Sequence, residues 1–124
     1  MELNALSIVF PGGTNIAQGK KTIEVRSWLP PLDFHGDLVI VENKKFLRED
    51  GDVDPEGVAV AIVKIKLTRE YLESDIPAAM ASRWEPGYYS WELMDVRPIN
   101  PPGPVLAARG IYKIELDPNF MEQI

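Results

Sequence analysis

The sequence has no cysteine, which removes disulfides, thiolate metal sites and thiol nucleophiles together and fits a cytoplasmic address. Histidine is almost as scarce. The single one, His35, sits in a turn between Phe34 and Gly36, cannot build a multi-histidine metal site and matches no metal-ligand spacing. A structural or incidental role is expected for it, and no metal or cofactor is expected. Long apolar runs are absent too: the longest apolar-rich stretch, 58–67, carries Lys64 and Lys66 and is too short to span a bilayer. The first ten residues lack a basic n-region and read as a strand rather than a secretory leader. Positive charge is in short supply, with 13 Lys and Arg against 19 Asp and Glu, a net charge of −6. That excludes a broad basic face for coating duplex nucleic acid. Any nucleic-acid contact must be local, a small basic pocket on an acidic body. Part of the acidity falls in 48–56, which reads as a solvated loop without a role at a site. No Gly-x-Gly-x-x-Gly or P-loop pattern is present.

What is present is a succession of short elements in a chain of 124 residues, a length that fits one compact domain over 1–124 and folds without a staple. Residues 3–10 alternate as a strand, with Leu6, Ile8 and Phe10 opposite Ala5, Ser7 and Val9. Pro11-Gly12-Gly13 ends it, Thr14 is placed to N-cap a short helix, and Gly19 occupies the position of a helix C-terminal glycine. A strand over 22–26 follows. Leu38-Val39-Ile40-Val41 is apolar on both faces and should be covered on both. Residues 58–67 read as the longest strand. Thr68 is placed to cap a helix starting at Arg69 and broken or restarted at Pro77, and strands over 88–96 and 110–116 are separated by the proline-rich stretch 97–104. About six short strands with a few short helical turns predict a mainly-β, α+β fold, a closed or nearly closed barrel with helices at its ends.

The segment with the most chemistry is Gly19-Lys20-Lys21-Thr22-Ile23-Glu24-Val25-Arg26-Ser27-Trp28. Strand alternation points Ile23 and Val25 to the core and projects Thr22, Glu24, Arg26 and Trp28 on the other face. Lys21 joins that face only if the turn after Gly19 re-aims it. Spacing alone leaves two readings. Glu24 and Arg26 form a solvated surface ion pair with lysines nearby, or they belong to a cleft. In a cleft, Lys21 is a candidate to activate water against an amide carbonyl, Arg26 to stabilise the oxyanion and Glu24 to pass a proton to the leaving amine. Lys20 and Arg26 are candidates for phosphate, and Trp28 and Tyr88 for stacking a base. Tyr89 and Trp91 share a face that places at least one of them in the core.

The pattern Gly19-x-Lys21-x-x-Glu24-x-Arg26 matches the Gly-x-Lys-x-x-Glu-x-Arg signature of the ASCH domain, and the chain resembles that family beyond the motif. Ala5-Leu6-Ser7-Ile8, Gly36-Asp37 before an apolar strand, and Tyr89-Ser90-Trp91-Glu92-Leu93 followed by Arg97-Pro98-Ile99 come in the family's order. The resemblance implies a PUA-like barrel whose motif lines a cleft for RNA or a modified nucleoside. Some small bacterial members look like amidohydrolases that deacetylate N4-acetylcytidine, and another is similar to a ribonuclease acting on single-stranded RNA. In the amidohydrolase type, a lysine matching Lys21 is the central catalytic residue and threonine stands where this chain has Glu24. A further catalytic glutamate lies later in the chain, for which Glu70 and Glu73 are the candidates here.

Overall fold

In the computed structural model, which describes residues 2–31 and 36–116, the strands are β1 (Glu2–Val9), β2 (Ile23–Arg26), β3 (Leu38–Asn43), β4 (Val53–Asp54), β5 (Val58–Glu70), β6 (Tyr89–Pro104), β7 (Ala107–Ala108) and β8 (Ile111–Glu115). Helix α1 (Gly12–Ala17) follows β1, and a 3-10 turn (Glu73–Asp75) leads into α2 (Ile76–Ala79) after β5. Six strands form one curled sheet in the order β2-β6-β5-β3-β1-β8, a half-barrel, and β4 pairs with β7. This is the mainly-β barrel with short helices that the sequence predicts. Its hydrogen-bonded sheet ends at β2 and β8, and the curl stays open between these two edges.

All six residues of β3 are buried. Val39 and Val41 face one apolar cluster with Ala5, Ile62 and Leu116, while Leu38 and Ile40 face another with Leu6, Ile16 and Trp91. The double coverage follows from a strand without a polar face. Glu42, at its polar end, is buried as well, and its carboxylate accepts the Thr14 N–H at 2.6 Å and the Thr14 hydroxyl at 2.8 Å. Thr14 is therefore not the N-cap. Helix α1 starts earlier, at Gly12, and the acceptor for its first turn comes from β3. Gly13 permits this approach, since a Cβ there would stand 3.0 Å from Cβ of Glu42.

The far end of α1 closes as the sequence suggests. Lys20 N–H bonds Asn15 C=O at 2.9 Å and Gly19 N–H bonds Ile16 C=O at 3.0 Å, with Gly19 left-handed at φ +76. These are the paired bonds of a Schellman ending.

Two expectations for the second half of the chain do not hold. The helix anticipated from Thr68 is absent: β5 continues to Glu70, with Thr68 opposite Trp91 and Arg69 opposite Ser90 on β6. Ladder pairing overrides the helix-favouring Arg-Glu-Tyr-Leu stretch. A helix does restart at Pro77, which lies in the first turn of α2. The proline-rich stretch is not a break either, because β6 runs through it, pairing Pro98 with Ala61 and Pro104 with Val58. Beyond Glu92 the other edge of β6 has no β2 partner, and an edge of this kind is where a strand tolerates proline. The loop 48–56 is mostly exposed, as expected, with Asp54 as the exception. Asp54 is buried and accepts the N–H of Glu56 at 2.9 Å, a bond that lowers its pKa.

The short helical region is fixed by Asp75. Its carboxylate receives Arg69 in a two-pronged pair at 2.7 and 2.8 Å, the Leu72 N–H at 2.9 Å and the Ser90 hydroxyl at 2.9 Å. The Arg69 guanidinium, helped by the other two donors, holds the Asp75 carboxyl well below the usual carboxylate range against the opposing effect of burial. A depressed native pKa stabilises the fold fully above the unfolded value, about 4, and that stabilisation is lost as pH falls further. Asp75→Asn is expected to cost about 2 kcal/mol near neutral pH in urea unfolding. The gap to wild type should narrow between about pH 4 and about pH 2. A gap that stays constant across this range would show that the carboxylate charge is not what holds the turn.

Candidate functional site

Strand β2 lies at the edge of the sheet, and its polar side faces inward. Glu24 is only 5% exposed. Lys21 Nζ stands 3.2 Å from Glu24 Oε1, and Arg26 Nε donates to Glu24 Oε2 at 2.8 Å. The surface ion-pair reading is thus set aside by burial: this carboxylate has left water and is compensated by two cations. Lys21 reaches it because the Gly19 turn re-aims the chain. The Lys20 and Lys21 N–H groups both bond Asn15 C=O, and β2 begins only at Ile23.

Both cations are also tied to backbone from other elements. Lys21 Nζ donates to Ala79 C=O at 2.7 Å, at the end of α2, and Thr22 N–H donates to Ala78 C=O at 2.9 Å. These are carbonyls that a helix C-terminus leaves without an internal partner. Arg26 Nη2 donates to Ser7 C=O on β1 at 2.9 Å. Arg26 therefore spans from the β2 edge of the sheet to β1, a strand with which β2 makes no main-chain pairing. Asp75, by fixing the turn before α2, also fixes the carbonyls that hold Lys21.

The cluster opens on a cleft of about 400 Å³, within the usual range for small-molecule sites, ~300–1,000 Å³. Lys21, Glu24, Arg26 and Trp28 all line it. Trp28 meets the fully buried Trp91 edge to face, with ring centroids 5.0 Å apart. Tyr88 is elsewhere: it lines a separate hollow of about 240 Å³ with Tyr71 and Arg83, across Val25 from the cleft. Lys20 is exposed and outside the cleft lining. Glu70 ends β5 and Glu73 starts the 3-10 turn; both are exposed and neither lines the cleft. His35 lies outside the described residues.

Other residues join the cleft without having been singled out from the sequence. Ser7 lies within the Ala5-Leu6-Ser7-Ile8 landmark, yet its hydroxyl signals nothing by spacing. It contacts the Tyr112 hydroxyl at 2.7 Å and accepts the Ala108 N–H at 3.2 Å. Burial pushes the Tyr112 phenol up, so it stays protonated and does not serve as a base for Ser7. Asn43, Phe46 and Arg109 come from three separate turns or strand ends. Asn43 Nδ2 donates to Lys45 C=O. Arg109 Nη1 stands 3.4 Å from Asp50 at the mouth. Among the described residues no group of three or more His, Asp and Glu is placed to hold a metal ion, and no helix is long and apolar enough to cross a membrane.

Residues 6–103 match the ASCH domain family. Among solved structures, two single-substitution variants of ZmASCH from Zymomonas mobilis have the same fold. One superimposes with a TM-score of 0.56 at 15% identity over 78% of this chain and 72% of that one. The other gives 0.55 at 15% identity over 78% and 70%. No curated protein matches the chain. The barrel, the cleft at its open edge and a match over most of the length agree: the chain belongs to the ASCH domain family, PUA-like proteins that are generally RNA-binding.

Proposed function

We propose that the cleft binds a base of single-stranded RNA or a modified nucleoside, with the Lys21–Glu24–Arg26 cluster as its polar floor and Trp28 as its stacking wall. The observation that carries this reading is a buried carboxylate holding two cations at the bottom of a nucleoside-sized cleft. An ammonium has three donors, and Lys21 uses two on Glu24 and Ala79; the third suits a ring carbonyl oxygen. Arg26 retains Nη1 for a second acceptor. Base contacts on edge atoms together with an aromatic face are how single-stranded RNA is read. They also suit a protein whose net charge of −6 gives no general attraction for phosphate.

A second reading, amide hydrolysis of N4-acetylcytidine, draws on the 3.2 Å approach of Lys21 to Glu24. In that scheme Glu24 takes a proton from Lys21, and the neutral amine removes one from water as its oxygen adds to the acetyl carbonyl. Arg26 stabilises the oxyanion, and protonated Glu24 donates to N4 as the C–N bond breaks, leaving cytidine and acetate.

A chromatographic assay with N4-acetylcytidine separates the two. Saturable binding without turnover is the outcome expected for a binding cleft. Release of cytidine by wild type, lost at least ~100-fold in Lys21→Ala, would establish the hydrolase. Cleavage of single-stranded RNA would instead favour a ribonuclease.

Glu24→Gln tests the floor itself. Removing the charge leaves two cations in a buried site and is expected to lower stability by about 2–4 kcal/mol in denaturant unfolding, with ligand binding weakened as Lys21 and Arg26 lose their alignment. A variant as stable as wild type would mean that Glu24 does not organise the cleft.

A further inference from the structure

Arg109 lies beyond the family match, which ends at residue 103. It occupies the tight turn between β7 and β8, followed by Gly110 in the left-handed region at φ +71. The approach to this turn is anchored, since β7 pairs with β4 and Ala108 N–H bonds Ser7 Oγ at 3.2 Å. Arg109 borders both the motif cleft and an adjoining hollow of about 240 Å³, and the two recesses share Trp28, Arg109 and Gly110.

Its charge is committed differently from those of Lys21 and Arg26. Those two are bound to buried Glu24 and to backbone carbonyls. The ion-pair partner of Arg109 is Asp50, 3.4 Å away and fully exposed. Such a pair in water is weak and readily exchanged. A group with more negative charge and two acceptor oxygens side by side displaces it, because the guanidinium fork matches that geometry. Phosphate has these properties and an uncharged nucleoside does not.

Building on the reading of the cleft as a base-binding site, we propose that Arg109 anchors a phosphate of the ligand. The cleft then takes a nucleotide, free or within single-stranded RNA, in preference to the bare nucleoside. Trp28 lines both recesses, so a base stacked on it has its sugar and phosphate side within the span that Arg109 borders. Asp50 acts as the internal competitor that occupies Arg109 in the unliganded protein.

The test is calorimetric titration of N4-acetylcytidine, its 5′-monophosphate and a short single-stranded RNA containing it into wild type, Arg109→Ala and Asp50→Asn. Wild type should bind the monophosphate about tenfold more tightly than the nucleoside, the scale of one charge-assisted contact. Arg109→Ala should lose that ratio, and Asp50→Asn should widen it. A ratio near one in wild type, or one that survives Arg109→Ala, overturns the anchor while leaving base binding intact. Failure of wild type to bind any of the three overturns the base-binding reading itself and the anchor with it. With the RNA, Arg109→Ala should also reduce the slope of log affinity against log salt by about 0.7, one phosphate contact on a single strand. An unchanged slope excludes contact with the RNA backbone and leaves the free nucleotide as the ligand that uses Arg109. Both side chains are at least 41% exposed, so folding is not the confounding variable.

Discussion

A carboxylate removed from water must be compensated, and in this protein the compensation of Glu24 organises the site. Two cations reach it from the same short stretch of chain, and each also holds a backbone carbonyl of another element. Through Lys21 the carboxylate is coupled to the end of α2, and through Arg26 to β1. β2 makes no ladder with β1, and the Arg26–Ser7 bond spans the gap between them. The same residues line the cleft, so what ties β2 to β1 and α2 and what would meet a ligand are one set of groups.

Acidic residues serve as internal connectors elsewhere in the fold. Glu42 reaches from β3 to the first turn of α1, Asp75 joins the 3-10 turn to β5 and β6, and Asp54 receives the Glu56 N–H within its loop. Each carboxylate is buried and each has hydrogen-bond donors around it, the condition under which burial of charge is tolerated. The net charge of −6 therefore overstates the acidity of the surface that a ligand meets. At the cleft the local count is different, with Lys21, Arg26 and Arg109 facing Glu24 alone among the charged lining residues.

What could be read from the sequence was what local pattern determines. The uninterrupted apolar run of β3 announced coverage on both faces, and Gly19 marked the end of α1 with the turn that swings Lys21 toward Glu24. The motif residues Lys21, Glu24 and Arg26 were legible as a group, and Trp28 with them. The burial of Glu24 was not, because alternation distinguishes two faces of a strand without saying which of them meets water. The continuation of β5 to Glu70 and of β6 through its prolines depended on the partner strand, which no local preference records. Tyr88 follows Tyr71 and Arg83 to the far side of Val25 for the same reason. Arg109 reaches the cleft through the pairing of β7 with β4, two-residue strands with no signature of their own.

The most direct test of a base-binding cleft uses the indole N–H groups as reporters, since Trp28 lines the cleft while Trp84 lies outside its lining and donates to Tyr71 C=O. A nitrogen–proton correlation spectrum recorded during titration with N4-acetylcytidine should show saturable shifts of the Trp28 indole and the Arg26 Nε–H. The Trp84 indole should stay in place. Movement of Trp84 with Trp28 and Arg26 unperturbed would place the ligand near the Tyr88 hollow and contradict the account.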